Sequence, residues 1–356
     1  MTSQSAQGSN GSSVPASFSS GPPYHPLFAI LGRYPSVSVD DAIGAVILAI
    51  FVVAALLNLT ICWRNFRQSH NFFLSLFLAV FCAARIIANA LRISWASHLE
   101  NVKIIIAAQV FLSAGVVMLF VMNMILSQRL LRAYQPHIGW NKSITVAFKF
   151  LYASITADIV MVIVALVYGF YTRDLDKLHT VRDVQRVGVT YLAVISFLPI
   201  PIAGFCLLLP RKEPVDKFGE GSMGMKVCLV VFTAVLLSLG AGFRAGIALQ
   251  QARLSTYPAW YHHKACFYVF TYLIEIIVVY SYTLFRFDRR FYIPDGSYGP
   301  GHYSASTDSA TLQNRPSGVS VDLKVLGDGT DGEQSRTIST PSPQQDQNSK
   351  EAQSEV

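Results

Sequence analysis

Seven apolar stretches, each long enough to cross a lipid bilayer, follow one another between about residues 42 and 285. A bilayer core about 30 Å thick requires about 20 helical residues, and backbone N–H and C=O groups in lipid must pair within their own segment. The pattern therefore predicts an all-α fold, a seven-helix transmembrane bundle. The predicted spans are Ala42–Trp63, Asn71–Ile93, Ile104–Leu126, Ile144–Phe170, Gly188–Leu209, Met225–Leu249 and Ala265–Phe285.

The composition favours membrane lipids over nucleic acid as the partner of this chain. Charged residues make up only 14% of the chain, against about 25% in an ordinary soluble domain. The net charge of +7 could suggest nucleic-acid binding. The basic residues, however, flank the apolar stretches and form no stripe with aromatic residues, so we expect no nucleic-acid partner.

The chain divides by composition into three parts. Residues 1–39 are rich in Ser, Gly and Pro, which predicts a disordered N-terminal tail. Residues 40–290 hold the seven spans, and their short connections favour one bundle with antiparallel neighbours. Residues 291–356 are rich in Ser, Thr, Gly and Gln, which predicts a second disordered tail.

Basic residues near the first span predict the orientation of the chain in the membrane. Arg64 and Arg67 follow this span, whereas Asp40 and Asp41 precede it. Because cytoplasmic loops are enriched in Lys and Arg, we expect the N-terminus outside the cell and the C-terminus in the cytoplasm. The sequence thus predicts a multi-pass protein of the plasma membrane.

Both predicted tails contain candidate modification sites. Asn10 begins an Asn-Gly-Ser sequence, which predicts N-glycosylation on the outer side. Thr340 and Ser342 each precede a proline, a pattern typical of sites phosphorylated by proline-directed kinases.

Four ionisable residues lie well inside the predicted spans: Arg85, Asp158, Arg244 and Glu275. Each costs about 2.5–3.5 kcal/mol at the centre of a membrane helix, so we expect them to face the bundle interior and to pair. Arg244 with Glu275 is the first candidate pair because consecutive helices tend to be neighbours. Arg85 with Asp158 is the second candidate.

Helical spacing supports this inward orientation. Asn89 lies one helical turn after Arg85, and similar polar stripes occur on the third and seventh spans. The interior could therefore form a ligand pocket or a permeation path; alternatively, the polar groups act only as interhelical hydrogen bonds. The candidate ligand-binding or ion-pair residues are Arg85, Asn89, Asp158, Arg244 and Glu275.

Motifs of known catalytic chemistry do not support an enzyme. The histidines form no HExxH pattern, and no Gly-x-Ser-x-Gly elbow occurs. Residues 219–224 match GxGxxG, but this motif follows no predicted strand and leads into a span. We therefore expect no catalytic residues, no metal site and no cofactor.

Four segments resemble a family of fungal multi-pass membrane proteins that carry a domain of unknown function. This family is sometimes labelled receptor-like, after G-protein-coupled receptors of the glutamate-receptor class (family C). The resemblance implies a fungal origin and a seven-helix bundle, but it transfers no established functional residues. The segments are Cys82–Ala96, Ser127–Ala133, Tyr191–Pro201 and Tyr292–Ser297.

Three functions fit these features. The leading hypothesis is a receptor-like sensor that binds a small molecule in its polar interior and signals to a cytoplasmic partner. The alternative is a transporter or lipid-handling exporter that uses the same interior. The third possibility is a non-catalytic scaffold, a protein whose charged residues serve only its assembly.

Overall fold

The computed structural model describes residues 21–67, 72–210, 214–293, 299–301 and 303. Seven helices in this part are long and apolar enough to cross a membrane, which confirms the predicted all-α, seven-helix fold of an integral membrane protein. They are α1 (Val37–Arg67), α2 (Phe73–Ser97), α3 (Val102–Tyr134), α4 (Lys142–Tyr171), α5 (Leu175–Leu208), α6 (Met223–Leu249) and α7 (Lys264–Leu284).

Most helices extend beyond the predicted spans, and α5 differs most. It begins at Leu175 instead of Gly188, because Asp174 caps a first, charged part of the helix and accepts a hydrogen bond from the Asp176 backbone N–H at 3.1 Å. Hydropathy reports only the part of a helix that can lie in lipid. Asn71, the predicted start of the second span, lies outside the described residues.

Two helices depart from regular α geometry. The helical hydrogen bonds of α5 are interrupted at Leu198, because Pro199 has no backbone N–H to donate. Helix α7 contains a π-helical segment, Tyr268–Leu273, between the short helix Lys264–Phe267 and the helix Ile274–Leu284. Such π segments often occur at functional sites.

The seven helices form one closed ring. Each packs against its neighbours in sequence, and α7 packs against both α6 and α1 to close the ring. Helix α3 also contacts α5 and α6 across the ring. We call the end where α1 begins the N-terminal end, and the end where α7 finishes the C-terminal end.

Residues 21–36, which we call the strap, lie across the N-terminal end although the sequence placed them in a tail. The backbone N–H of Tyr24 donates to Phe170 at 2.7 Å and that of Ala29 to Arg253 at 2.8 Å. The strap is thereby fixed to the end of α4 and to the connection between α6 and α7.

Large apolar side chains cover much of the outer surface of the bundle. Phe150, Val187 and Leu208 are 75%, 65% and 85% exposed, respectively. On a water-soluble protein such side chains would favour association, whereas on a membrane bundle they match the acyl chains of the lipid. This distribution agrees with an integral membrane protein.

Candidate ligand-binding site

Arg85 and Glu275 form a buried ion pair between α2 and α7. Nη2 of Arg85 donates to Oε1 of Glu275 at 2.5 Å, and Nε lies 2.5 Å from Oε2. The two side chains are 0% and 2% exposed. Nη1 of Arg85 also donates to the Leu112 carbonyl of α3 at 2.9 Å. The pair thus joins three helices through charge-assisted hydrogen bonds.

Both pairings predicted from the sequence are wrong. Glu275 is paired with Arg85 instead of Arg244, because α2 and α7 approach each other across the bundle although they are distant in sequence. Arg85 is consequently not available to Asp158. Sequence order identifies neighbouring helices, but it does not identify which interior faces meet.

Gly115 of α3 makes room for the Arg85 guanidinium. A Cβ atom at this position would lie 3.1 Å from Nη1 and 3.2 Å from Cζ of Arg85. Few real Cβ contacts are this close, so a side chain here would press on the ion pair. The absence of a side chain at Gly115 therefore helps to set the position of Arg85.

Arg244 of α6 lies on a cavity of about 370 Å³ at the N-terminal end. Among the described residues, its side chain has one hydrogen-bond acceptor, the Gly240 carbonyl, at a long 3.4 Å from Nε. It is close enough to Glu275 for electrostatic attraction, although no ion pair joins the two. Most N–H groups of Arg244 therefore have no acceptor among the described residues.

The cavity lies between the strap and helices α3 to α7. Arg182 and Arg186 of α5 form one side and donate to the last carbonyls of α6, those of Gln250 and Ala248, respectively. Arg253 borders the cavity beyond the end of α6. Apolar side chains make up most of the remaining wall. They include Phe28, Leu112, Val162, Leu166, Val189 and Ile247.

Asp158 of α4 is 7% exposed and lies against α5. Within the described part of the chain, its Oδ2 atom has no hydrogen-bond partner. A Cβ atom at Gly188 of α5 would lie 3.1 Å from Oδ1, so the absence of a side chain at Gly188 leaves space for this carboxyl group. The structure does not bring Asp158 to the cavity wall formed by Arg244.

The predicted polar stripes do face the interior. On α2, Arg85 and Asn89 are both 0% exposed, which confirms their inward orientation. Among the described residues, both polar atoms of the Asn89 amide group lack a hydrogen-bond partner. On α3, Gln109 and Ser113 line the cavity.

Sequence reasoning missed a second charged group, which we call the Asp40 cluster. The Asp40 carboxylate accepts from Arg92 at 2.9 Å, from Lys264 at 2.5 Å and from the Tyr268 hydroxyl at 2.7 Å. It also accepts from the Ser36 backbone N–H at 2.8 Å. Asp40 lies just before the first predicted span and served there only as an orientation signal, and Lys264 lies just before the last predicted span. The position of Arg92, two turns after Arg85 on the same polar stripe, was the available clue.

The C-terminal end contains neutral polar contacts. The Tyr282 hydroxyl donates to Asn123 at 3.2 Å and lies 3.0 Å from the Thr233 hydroxyl, which links α7, α3 and α6. Asn58 of α1 donates to Thr283 at 3.0 Å. This end of α7 is therefore fixed to three other helices by hydrogen bonds without charge.

Two histidines outside the spans have lowered pKa values. Burial lowers the pKa of His262, in the connection before α7, and Arg33 lowers it further. Burial also lowers the pKa of His25 in the strap, with Arg173 adding to the effect. Both imidazoles are thus favoured in their neutral form when the strap is in place.

Several predictions fall outside the described residues. The glycosylation site Asn10 and the phosphorylation sites Thr340 and Ser342 belong to these segments, as do most residues of both predicted disordered tails. These predictions stay untested.

The comparisons with known proteins add a family of unknown function. Residues 212–292 match the sequence model of a family described as "Protein of unknown function (DUF3112)". The match includes α6 and α7, and therefore Arg244 and Glu275, but it covers well under half of the chain. No curated protein matches the chain, and no solved structure matches it. The fungal and receptor-like parts of the resemblance remain predictions.

Proposed function

We propose that the protein is a receptor-like sensor that binds a small molecule in the cavity and signals at the C-terminal end. In this proposal the N-terminal end faces the outside of the cell, in agreement with the basic residues that follow the first span. The membrane is the plasma membrane, and the signalling partner is a cytoplasmic protein.

The position of Arg244 is the single observation that carries the proposal. This residue borders the cavity, and its guanidinium is also attracted by Glu275, which forms the ion pair with Arg85. A ligand that binds Arg244 therefore changes the electrostatic environment of an ion pair that joins α2, α3 and α7. A ligand can shift an equilibrium only through such a difference in interaction between two states.

Helix α7 provides a route from this ion pair to the opposite end. Glu275 lies two residues after the π segment Tyr268–Leu273, and such segments often occur at functional sites. At its other end, α7 contacts α3 and α6 through Tyr282 and α1 through Thr283. Repacking of α7 would therefore reach three helices at the C-terminal end.

A transporter is the second candidate, and the interruptions of two helices favour it. Helix α5 is interrupted at Leu198 and α7 contains the π segment, and discontinuous helices are common around the binding sites of transporters. A transporter must also open the C-terminal end to release its substrate. The two functions therefore differ in whether a solute crosses the membrane.

Two experiments separate these functions. A biotin ligase fused to the C-terminus should label a set of cytoplasmic proteins that differs between wild type and Arg244→Gln, with G-protein subunits or kinases among the proteins that change. Liposomes that contain the purified protein and a metabolite extract from the source cells should lose no solute faster than liposomes without protein. Identical labelling of the two proteins, together with protein-dependent loss of a solute, would contradict the sensor and support the transporter.

A further inference from the structure

We propose that the ligand of the cavity is an amphiphile with one anionic head group, a carboxylate or a phosphate monoester, and an apolar chain. This inference rests on the proposed function because it assigns a chemical class to the ligand of that same site. Arg244 would bind the head group, and the apolar wall of α4 and α5 would contact the chain.

The charges of the cavity favour an anion. Among the described residues that line it, four are arginines and none is acidic. Arg182 and Arg186 donate to carbonyls at the end of α6, so part of their hydrogen-bonding capacity is used. Asp183 pairs with Arg186 at 2.7 Å on the exposed side of α5, and Glu275 pairs with Arg85. These two carboxylates therefore already have cationic partners, and the described wall of the cavity carries an excess of positive charge.

Arg244 is suited to a carboxylate or phosphate in particular. Its guanidinium offers five N–H donors in a planar fork that matches two oxygen atoms of such a group. The hydrogen bond to the Gly240 carbonyl uses only Nε, and it is weak because the donor and acceptor atoms are 3.4 Å apart. Because an uncompensated charge in a membrane interior is costly, an anion that pairs with Arg244 would be bound favourably.

The walls of the cavity require an apolar part in the same ligand. Val162 and Leu166 of α4, Val189 of α5 and Phe28 of the strap contribute apolar surface around the arginines. An inorganic anion would leave this surface in contact with water, whereas an acyl chain would cover it. Burial of apolar surface contributes about 25 cal/mol per Å², so the chain supplies much of the affinity. A volume of about 370 Å³ lies within the range typical of small-molecule sites.

The strap limits access to the cavity. Its backbone is fixed to α4 by Tyr24 and to the connection after α6 by Ala29, and residues 26–31 form part of the cavity wall. A bound chain would lie beneath these residues. A ligand in this position would contact the strap as well as α4 and α5, which partition into lipid would not provide.

A thermal-stability series tests this inference on the full chain in nanodiscs of zwitterionic lipid. The probes share a twelve-carbon chain and differ in head group: dodecanoate, dodecyl phosphate, dodecanol and dodecyltrimethylammonium. Inorganic phosphate tests the head group without a chain. We expect a saturable rise in the apparent Tm with the two anionic amphiphiles only. An equal rise with dodecanol, or a rise with the cationic probe, would overturn the proposal.

Matched variants test whether the anionic amphiphile binds in the cavity. Arg244→Gln should weaken the binding of dodecanoate at least tenfold, and Arg244→Lys should weaken it less because the charge remains. Lys103→Gln removes one exposed positive charge at the same end, away from the cavity, and should bind as wild type does. If Arg244→Gln fails to fold, the comparison between Arg244→Lys and Lys103→Gln still decides, because equal affinities would exclude Arg244 as the head-group site.

A further arm distinguishes a free amphiphile from an anionic lipid of the bilayer. Addition of phosphatidylglycerol to the nanodisc should weaken dodecanoate binding only if the lipid head group enters the same cavity.

The experiments distinguish a failure of this ligand assignment from a failure of the proposed sensor function. Saturable binding without any change in the proteins labelled in Arg244→Gln would keep the ligand class and exclude the sensor, whereas changed labelling without binding would do the reverse.

Discussion

The Asp40 cluster and the cavity lie at the same end of the bundle, but their charges are arranged in opposite ways. In the Asp40 cluster one carboxylate accepts hydrogen bonds from Arg92, Lys264 and Tyr268, and its side chain is 0% exposed. In the cavity several arginines are present, and no carboxylate lines the part of the wall that the structure describes. The first arrangement is complete without a ligand, and the second is not.

This difference separates charges that serve assembly from charges that are available for binding. A buried carboxylate with four donors links the start of α1 to α2 and α7 and leaves no capacity for a partner. Within the described part of the chain, Arg244 donates one long hydrogen bond, is attracted by Glu275 without an ion pair, and borders the cavity. The scaffold hypothesis therefore describes the Asp40 cluster well, and the sensor hypothesis describes the cavity. The following variants test this contrast, from the largest expected effect on stability to the smallest.

Asp40→Asn should cause the largest loss of stability. It removes the negative charge that compensates Arg92 and Lys264, and breaking a buried ion pair in this way typically costs about 3–5 kcal/mol. We expect a marked fall in the apparent Tm in nanodiscs and in the amount of folded protein at the cell surface. The exposed variant Asp176→Asn at the same end is the control and should behave as wild type does in both measurements.

Glu275→Gln should also destabilise strongly, because it leaves Arg85 buried without a carboxylate. The double variant Arg85→Gln with Glu275→Gln removes both charges and should recover most of the lost stability. The apparent Tm of the single and double variants measures this coupling. A double variant less stable than either single variant would show that the two residues are not a pair.

Gly115→Ala should have an intermediate effect. The added methyl group would press on the Arg85 guanidinium, and forcing extra atoms into a packed interior typically costs about 1–3 kcal/mol. Combination with Arg85→Gln should reduce this cost because a shorter side chain leaves room for the methyl group. Gly246→Ala on α6, where an added Cβ meets no atom within 4 Å, is the matched control and should change the apparent Tm little.

Arg244→Gln should leave stability nearly unchanged or raise it slightly. The variant removes a weakly paired charge from the membrane interior, so the loss of one long hydrogen bond is offset by a lower desolvation cost. Thermal unfolding without any ligand measures this effect. A loss as large as that of Glu275→Gln would place Arg244 among the structural charges and would remove the contrast on which the site rests.

Acidification should loosen the strap, which is the smallest expected effect. The pKa of His262 is lowered from 6.5 by burial, then by Arg33, and further by Arg182 and Arg253. The open strap therefore binds more protons than the closed strap, so closure loses stability as the pH falls below about 6.5. The N–H of Gly32 donates to the His262 carbonyl. The protection of this N–H from hydrogen exchange, corrected for the intrinsic rate at each pH, should be lower at pH 5.5 than at neutral pH.

The variant His262→Gln should reduce this dependence on pH. The dependence that remains should come from His25, whose pKa is also lowered by burial and by Arg173. Exchange that shows the same pH dependence in the double variant His25→Gln with His262→Gln would exclude the histidines as its cause.

The number of helices and their order could be predicted because both follow from hydropathy along the chain. The inward faces of α2 and α7 could also be predicted, since Arg85 and Asn89 on α2, and Tyr268, Tyr272 and Glu275 on α7, follow helical spacing. The first part of α5 could not, because its charged residues lie beyond the apolar segment and pair with the end of α6.

The ion pairs of the interior could not be predicted for a different reason. Glu275 and Arg244 lie on adjacent helices, yet Glu275 pairs with Arg85, which is 190 residues away in sequence. Such a choice depends on the rotation of each helix about its axis, and hydropathy does not fix that rotation. The cavity could not be predicted either, because the apolar run Leu27–Leu31 in the strap is too short for a membrane span and hydropathy alone places it in the N-terminal tail.

Photo-crosslinking with a fatty acid that carries a diazirine in its chain tests the central claim most directly. In nanodiscs with wild-type protein, we expect crosslinks at Val162, Leu166 and Val189, and we expect Arg244→Gln to remove them while Lys103→Gln preserves them. Crosslinks confined to lipid-facing residues, with the same yield in all three proteins, would contradict a binding site at Arg244.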